Sequence, residues 1–146
     1  ASALNISLEN ELLFDSFQVT YNIFEQSTFS VLSDALQKGK KVIIKEALAN
    51  GRVFENEKFQ HYKNSYLFLK QLSLKYKVGI DAIALRFVID SLEPTYVLSG
   101  ASNNLQLTQN LKALDFELNS EELKLMKGLE VSSDSYWNER SALNWN

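Results

Sequence analysis

Three short stretches of the chain carry residue types that can do chemistry. The first, VLSGASNNLQLTQNL at residues 97–111, begins apolar and then runs through Ser99, Gly100, Ala101, Ser102, Asn103 and Asn104. A turn of small residues around a glycine lets backbone N–H groups approach a ligand closely. A helix after it adds unpaired donors and a dipole that favours an anion, so the pattern is a phosphate site in outline. It is also the pattern of a turn that caps its own helix with Ser102 or Asn103.

The second stretch, IIKEALANGRVF, places Lys45 beside Glu46 at the end of an apolar run and supplies Asn50-Gly51 as a turn signal. A neighbouring ammonium and carboxylate there can be an acid/base pair, or a salt bridge that fixes the loop. In the third, FQVTYNIF, Gln18, Thr20 and Asn22 share one face, offering either amide groups to a ligand or a half-polar surface. No metal site is expected: His61, in FENEKFQHYKN, is the single histidine and reads as a surface or loop residue, and cysteine is absent.

The totals narrow the function classes. A chain of 146 residues, 45% hydrophobic, is the size of one globular domain, with no second domain expected. The net charge is −3 and the pI about 5.2, and Lys38-Gly39-Lys40-Lys41 is too short to track a phosphate backbone, which argues against nucleic acid. No apolar run approaches the ~20 residues of a membrane helix, and no signal-peptide pattern opens the chain. Without cysteine there are no disulfides, and the expected location is cytoplasmic.

The elements that must position these residues follow from periodicity. Residues 17–24 alternate at a period of two, KVIIK at 41–45 and TYVLS at 95–99 are short β-like runs, and the only proline, Pro94, opens the third. A helix is expected over 29–38, ended by Gly39, and another over 64–76. Asp81 is the expected N-cap of a third, with Ile83, Ala84, Phe87 and Val88 forming its apolar stripe. Leu105, Leu107, Leu111 and Leu114 support a fourth, and Asn119 with Glu122 is a capping box opening a fifth with Leu123, Met126 and Leu129 inward. A partial helix is expected in the first dozen residues. The βαβαβα order implies a parallel sheet with right-handed crossovers, yet three strands leave two open edges. The chain reads as part of something larger, with chemistry collected in the loops after the strands.

Taken together, FDSFQVTYN, KKVIIKEALANGRVF, IALRFV, VLSGASNNLQLTQNLKAL and the tail YWNERSALNW resemble the C-terminal half of the aldo-keto reductases, in order and spacing. The resemblance implies an α/β fold, with three βα units that form strands six to eight of a (β/α)8 TIM barrel. It implies NADP(H) as cofactor, with NAD(H) possible, and a small-molecule carbonyl substrate reduced by hydride transfer. Gln18 falls where the family's glutamine holds the nicotinamide carboxamide. KEAL matches a segment usually written Tyr-Ser-Pro-Leu, so that Lys45 replaces the stacking tyrosine while Glu46 and Leu48 keep backbone roles. Ser99, Gly100, Ala101, Ser102 and Asn103 match the loop around the adenosine phosphate. Gln109-Asn110 matches a Glu-Asn pair near the adenine, and Gln106 stands where many relatives grip the 2′-phosphate with arginine. The family's catalytic Asp, Tyr, Lys and His lie upstream of the matched segment, so no catalytic residue is assigned here.

Three readings remain open at this point: a fragment of an oxidoreductase that needs its N-terminal barrel half, a nucleotide-binding regulatory or interaction subunit on the same scaffold, and a half-barrel that self-associates.

Overall fold

The computed structural model describes residues 2–144. The chain opens with a 3₁₀ turn at Ser2–Asn5 and an antiparallel hairpin of β1 (Ser7–Leu8) and β2 (Glu11–Leu12). The 3₁₀ turn is the partial helix expected among the first dozen residues, and the hairpin fills the rest. Glu9 and Asn10 take φ of 51° and 70°, the pair of left-handed residues that a two-residue hairpin turn requires.

Then follow β3 (Ser16–Thr20), α1 (Phe29–Gln37), β4 (Lys41–Lys45), α2 (Lys63–Tyr76), α3 (Ile80–Leu92), β5 (Tyr96–Val97), α4 (Asn104–Leu111), α5 (Ser120–Lys127) and α6 (Ser133–Ser141). β3, β4 and β5 form a parallel sheet in that order, with Gln18 opposite Ile43 and Ile43 opposite Tyr96. Because side chains alternate across a sheet, this register separates two rows. Val42 and Ile44 point into the helical layer and are fully buried with Leu69, Ile83, Phe87 and Val88, each worth about 1.5–3 kcal/mol of burial. Gln18 and Tyr96 lie on the opposite, uncovered face, where Tyr96 is 59% exposed.

Several local signals become the structure expected of them. Gly39 ends the α1 region at φ +70°, and Asn119 and Glu122 close a capping box on α5. Met126 is fully buried, with Leu123 and Leu129 partly buried against the same core.

Other elements differ. The alternation over 17–24 stops being strand at Thr20, because the Asn22 side-chain oxygen accepts the N–H groups of Phe24 and Glu25, each at 3.0 Å, and turns the chain. Residues 95–99 shorten to a two-residue β5, with Leu98 N–H still donating to Ile44 O at 2.8 Å. Asp81 does not cap α3: Gly79 does, and Asp81 sits inside the first turn, where its charge suits the helix dipole. α6 has no counterpart in the periodicity because Tyr136 is its one buried side chain. No helix among the described residues is long and apolar enough to cross a membrane.

Candidate functional site

After β4 the backbone makes a run of left-handed residues, Glu46 (φ 58°), Ala49 (49°), Asn50 (55°) and Gly51 (85°). After β5 it does so again at Gly100 (66°), where a Cβ would meet nothing within 4 Å. Between these two loops lies a cleft of about 440 Å³ lined by Lys45, Glu46, Leu48, Asn50, Ser99 and Gly100. The KEAL and SGASNN stretches, 50 residues apart in sequence, thus share one concavity at the C-terminal ends of neighbouring parallel strands, where α/β scaffolds hold ligands.

The remaining predicted residues lie outside the lining of this cleft. Gln18 is exposed on the uncovered sheet face. Asn103 caps α4, its side-chain oxygen accepting Gln106 N–H at 2.9 Å. Gln106 Oε1 in turn accepts Ser102 N–H at 2.8 Å and the Ser102 hydroxyl at 2.9 Å. The capping use of this turn is therefore present, and it occupies the Ser102 donors. Ala101 N–H donates to the Ser99 hydroxyl at 3.3 Å. Asn110 is buried and donates to Ser99 O at 3.0 Å, tying the loop to α4, and Gln109 beside it is half-buried.

Lys45 and Glu46 do not form the expected salt bridge with one another. Both Glu46 oxygens accept from Arg140 Nε, at 3.0 and 2.9 Å, and Arg140 Nη2 donates to Oε1 as well. Two charged neighbours on one strand end have been separated by a third residue 94 positions away. Burial pushes the Glu46 carboxyl up, but the Arg140 guanidinium outweighs it and holds the group below the usual carboxylate range, with Lys45 and Arg52 contributing.

Arg140 belongs to a network through which α6 closes over the ends of β3 and β4. Asn22 Nδ2 donates to Glu46 O at 3.0 Å and to the Tyr136 hydroxyl at 2.9 Å. The Arg52 guanidinium, 1% exposed, lies 4.0 Å over the Tyr136 ring and donates to Ala49 O, Tyr136 O and Glu139 Oε2. Tyr62 donates to the same Glu139 oxygen at 2.8 Å, and His61 Nε2 lies 2.7 Å from the other. Burial raises the Tyr136 hydroxyl, and burial followed by the Glu139 hydrogen bond raises that of Tyr62, so both stay protonated, Tyr136 accepting from Asn22 and Tyr62 donating to Glu139.

Arg52, Tyr136, Glu139 and Arg140 were not picked out by sequence reasoning. The one signal available was Asn22, whose amide shares a face with Gln18 and Thr20 in the alternating run 17–24. Trp145, in the quoted tail, lies outside the described residues. No cluster of three metal-ligating side chains occurs among the described residues, and His61 is exposed.

Comparison with solved structures shows the fold. A thermostable aldo-keto reductase, Tm1743, in complex with the inhibitor epalrestat matches with a TM-score of 0.63 at 23% identity, over 78% of this chain and 39% of its own. Gox0644 in its apo form matches at 0.63 and 14% identity over 81% and 39%. A Gox0644 variant in complex with NADPH matches at 0.61 and 16% identity over 82% and 39%. The chain therefore spans about two fifths of the length of these proteins. No curated protein matches it. The model of the Aldo/keto reductase family matches residues 2–131, nearly the whole chain. With strand–helix order, parallel sheet and strand-end cleft in agreement, the chain belongs to the aldo/keto reductase family.

Proposed function

We propose that residues 1–146 form the C-terminal, cofactor-binding part of a TIM-barrel domain, supplying strands six to eight of an NAD(P)H-dependent oxidoreductase that reduces aldehydes or ketones to alcohols. The observation that carries this reading is the cleft between the ends of β4 and β5, which opens beside a sheet face where, among the described residues, Gln18 and Tyr96 are exposed. Both outer strands, β3 and β5, present an unpaired edge among the described residues, as expected of part of a closed barrel. An N-terminal barrel half is the proposed covering, self-association being the other way to close the edges. The proposed location is cytoplasmic.

The fit to a dinucleotide rests on the backbone. Gly51 and Gly100 face open space in the left-handed region, so main chain can approach a phosphate closely on either side. Ser99, Gly100, Ala101, Ser102 and Asn103 would surround the adenosine-side phosphate. Gln106, Gln109 and Asn110 would lie toward the adenosine, and Lys45, Glu46 and Leu48 along the cleft floor. Gln18, on the uncovered face, would hold the carboxamide of the nicotinamide. When bound, the nucleotide supplies hydride to a carbonyl carbon.

This chain's own residues would bind and orient. Glu46 is tied to Arg140 and kept ionised, which leaves it poorly suited to donate a proton, and Lys45 lies on a strand that the resemblance does not associate with catalysis. Proton donation therefore falls to residues outside the segment. The test is to assay the purified 146-residue chain and the full-length protein with NADPH and an aldehyde. Turnover is expected from the full-length protein alone, and reduction by the isolated chain above background would contradict the assignment.

A further inference from the structure

We propose that Arg140 is a positioning residue for anion binding in the cleft: by holding Glu46, it keeps the Lys45 ammonium available to an anionic group of the ligand. The proposal rests on the nucleotide reading only for the identity of the natural ligand.

Lys45 and Glu46 are adjacent in the chain and line the same cleft. Left to themselves they would pair, and the cleft would carry no net charge. The Glu46 side chain is only 10% exposed, so its carboxylate must find a cation or pay for burial unpaired. Arg140 meets that need in a forked geometry that a lysine ammonium cannot match, with Nε within 3.0 Å of both oxygens and Nη2 on one of them. Among the described residues no carboxylate forms an ion pair with Lys45. Its ammonium therefore lines the cleft with Ser99 and Gly100 and has no salt-bridge partner among the described residues.

The helix that carries Arg140 is itself anchored. Tyr136, one turn earlier on α6, is fully buried and receives Asn22 Nδ2, which also grips the Glu46 carbonyl. Asn22 and α6 thus hold the backbone and the side chain of Glu46 at the same time. If Arg140 is lost, Lys45, adjacent in sequence and already acting electrostatically on Glu46, becomes available to the stranded carboxylate, and the ligand loses its counter-charge.

The experiment is a double-mutant cycle on the full-length protein, titrated calorimetrically with inorganic pyrophosphate and with NADPH. Arg140→Met should weaken pyrophosphate binding about 10-fold, and in a Lys45→Met background the same change should add less than about 2-fold. In a Glu46→Gln background, where no carboxylate is left to capture Lys45, Arg140→Met should again cost less than about 2-fold. That last pair is the readout if the Arg140→Met single variant does not fold. Losses that add independently in both backgrounds would mean that Arg140 acts through structure alone, and the proposal would be overturned. Failure of the unmodified protein to bind pyrophosphate would overturn it as well. If NADPH binds while the coupling is absent, only the role of Arg140 falls. If the coupling is present on pyrophosphate but NADPH does not bind, the role of Arg140 stands and the nucleotide reading falls.

Discussion

Asn22 donates its side-chain amide to the Tyr136 hydroxyl at 2.9 Å, joining the end of β3 to α6 across 114 positions of sequence. The same side chain accepts from Phe24 N–H and Glu25 N–H and donates to Glu46 O, so all its hydrogen-bonding capacity is spent inside the protein. Asn22→Ala leaves two buried backbone donors without their acceptor, and at about 1–3 kcal/mol each the expected destabilisation is about 2–6 kcal/mol. Urea unfolding of the full-length protein measures it, and a loss below about 0.5 kcal/mol would show that the turn is held by other means.

Glu139 is the acceptor on which Arg52, Tyr62 and His61 converge. Truncating it strands a guanidinium that is 1% exposed, a case in which breaking a buried pair costs about 3–5 kcal/mol. Glu139→Ala should therefore destabilise more than Glu139→Gln, which keeps an acceptor for the Tyr62 hydroxyl. Both substitutions remove the charge, so the difference between them measures the acceptor, and equal midpoints in urea would show that the acceptor for Tyr62 contributes nothing of its own.

Acid sensitivity follows from two carboxylates. Burial raises Glu46 and Glu122, but Arg140 on the first, and Lys75, Tyr76 and the Asn119 backbone on the second, outweigh it and leave both below their ordinary values. A depressed folded-state value means that the stabilisation is fully present above the unfolded glutamate range, near about 4.3, and is lost as pH falls through the lower folded values. Thermal midpoints should hold from neutrality to about pH 5 and decline below it. Glu46→Gln should make that decline shallower, and an unchanged slope would remove Glu46 from the account.

What could be read beforehand was local. KVIIK became β4 with the expected bounds, Gly39 took the left-handed cap, and Asn119 with Glu122 closed the capping box, because each is decided within a few residues. The two loops that build the cleft were also marked, since small residues and left-handed turns have compositional signatures. The partner of Glu46 was not legible: Lys45 stood next to it, and nothing in the spacing points to Arg140, 94 residues on. α6 was missed for a related reason, as a helix that buries only Tyr136 shows no apolar stripe. β3 ended early because a side chain, Asn22, out-competed the sheet for two backbone donors, which alternation of hydrophobicity does not record.

Gly100 separates a conformational requirement from a steric one. At φ +66° a Cβ meets nothing within 4 Å in the free protein, but Gly100→Val must hold a left-handed backbone at about 1–2 kcal/mol. The side chain would project into space that an approaching phosphate is proposed to use. Nucleotide affinity should fall well beyond what this stability change explains, and equal losses in both would count against a phosphate at this turn.

Gln106 offers a gain-of-function test. Its Oε1 now accepts the Ser102 donors, and no guanidinium stands there for a 2′-phosphate. Gln106→Arg should raise the NADPH-over-NADH preference by about 10- to 150-fold, the value of a charge-assisted hydrogen bond of roughly 1.5–3 kcal/mol. A ratio unchanged by the substitution would place the 2′-phosphate elsewhere.

The loops after β4 and β5 are proposed to form one nucleotide site. Hydrogen–deuterium exchange of the full-length protein with and without saturating NADPH tests it most directly. Amides of residues 46–51 and 99–104 should slow together, while the β1–β2 hairpin, away from the cleft, should not change. NADPH that binds while leaving both loops at their free exchange rates would contradict the claim.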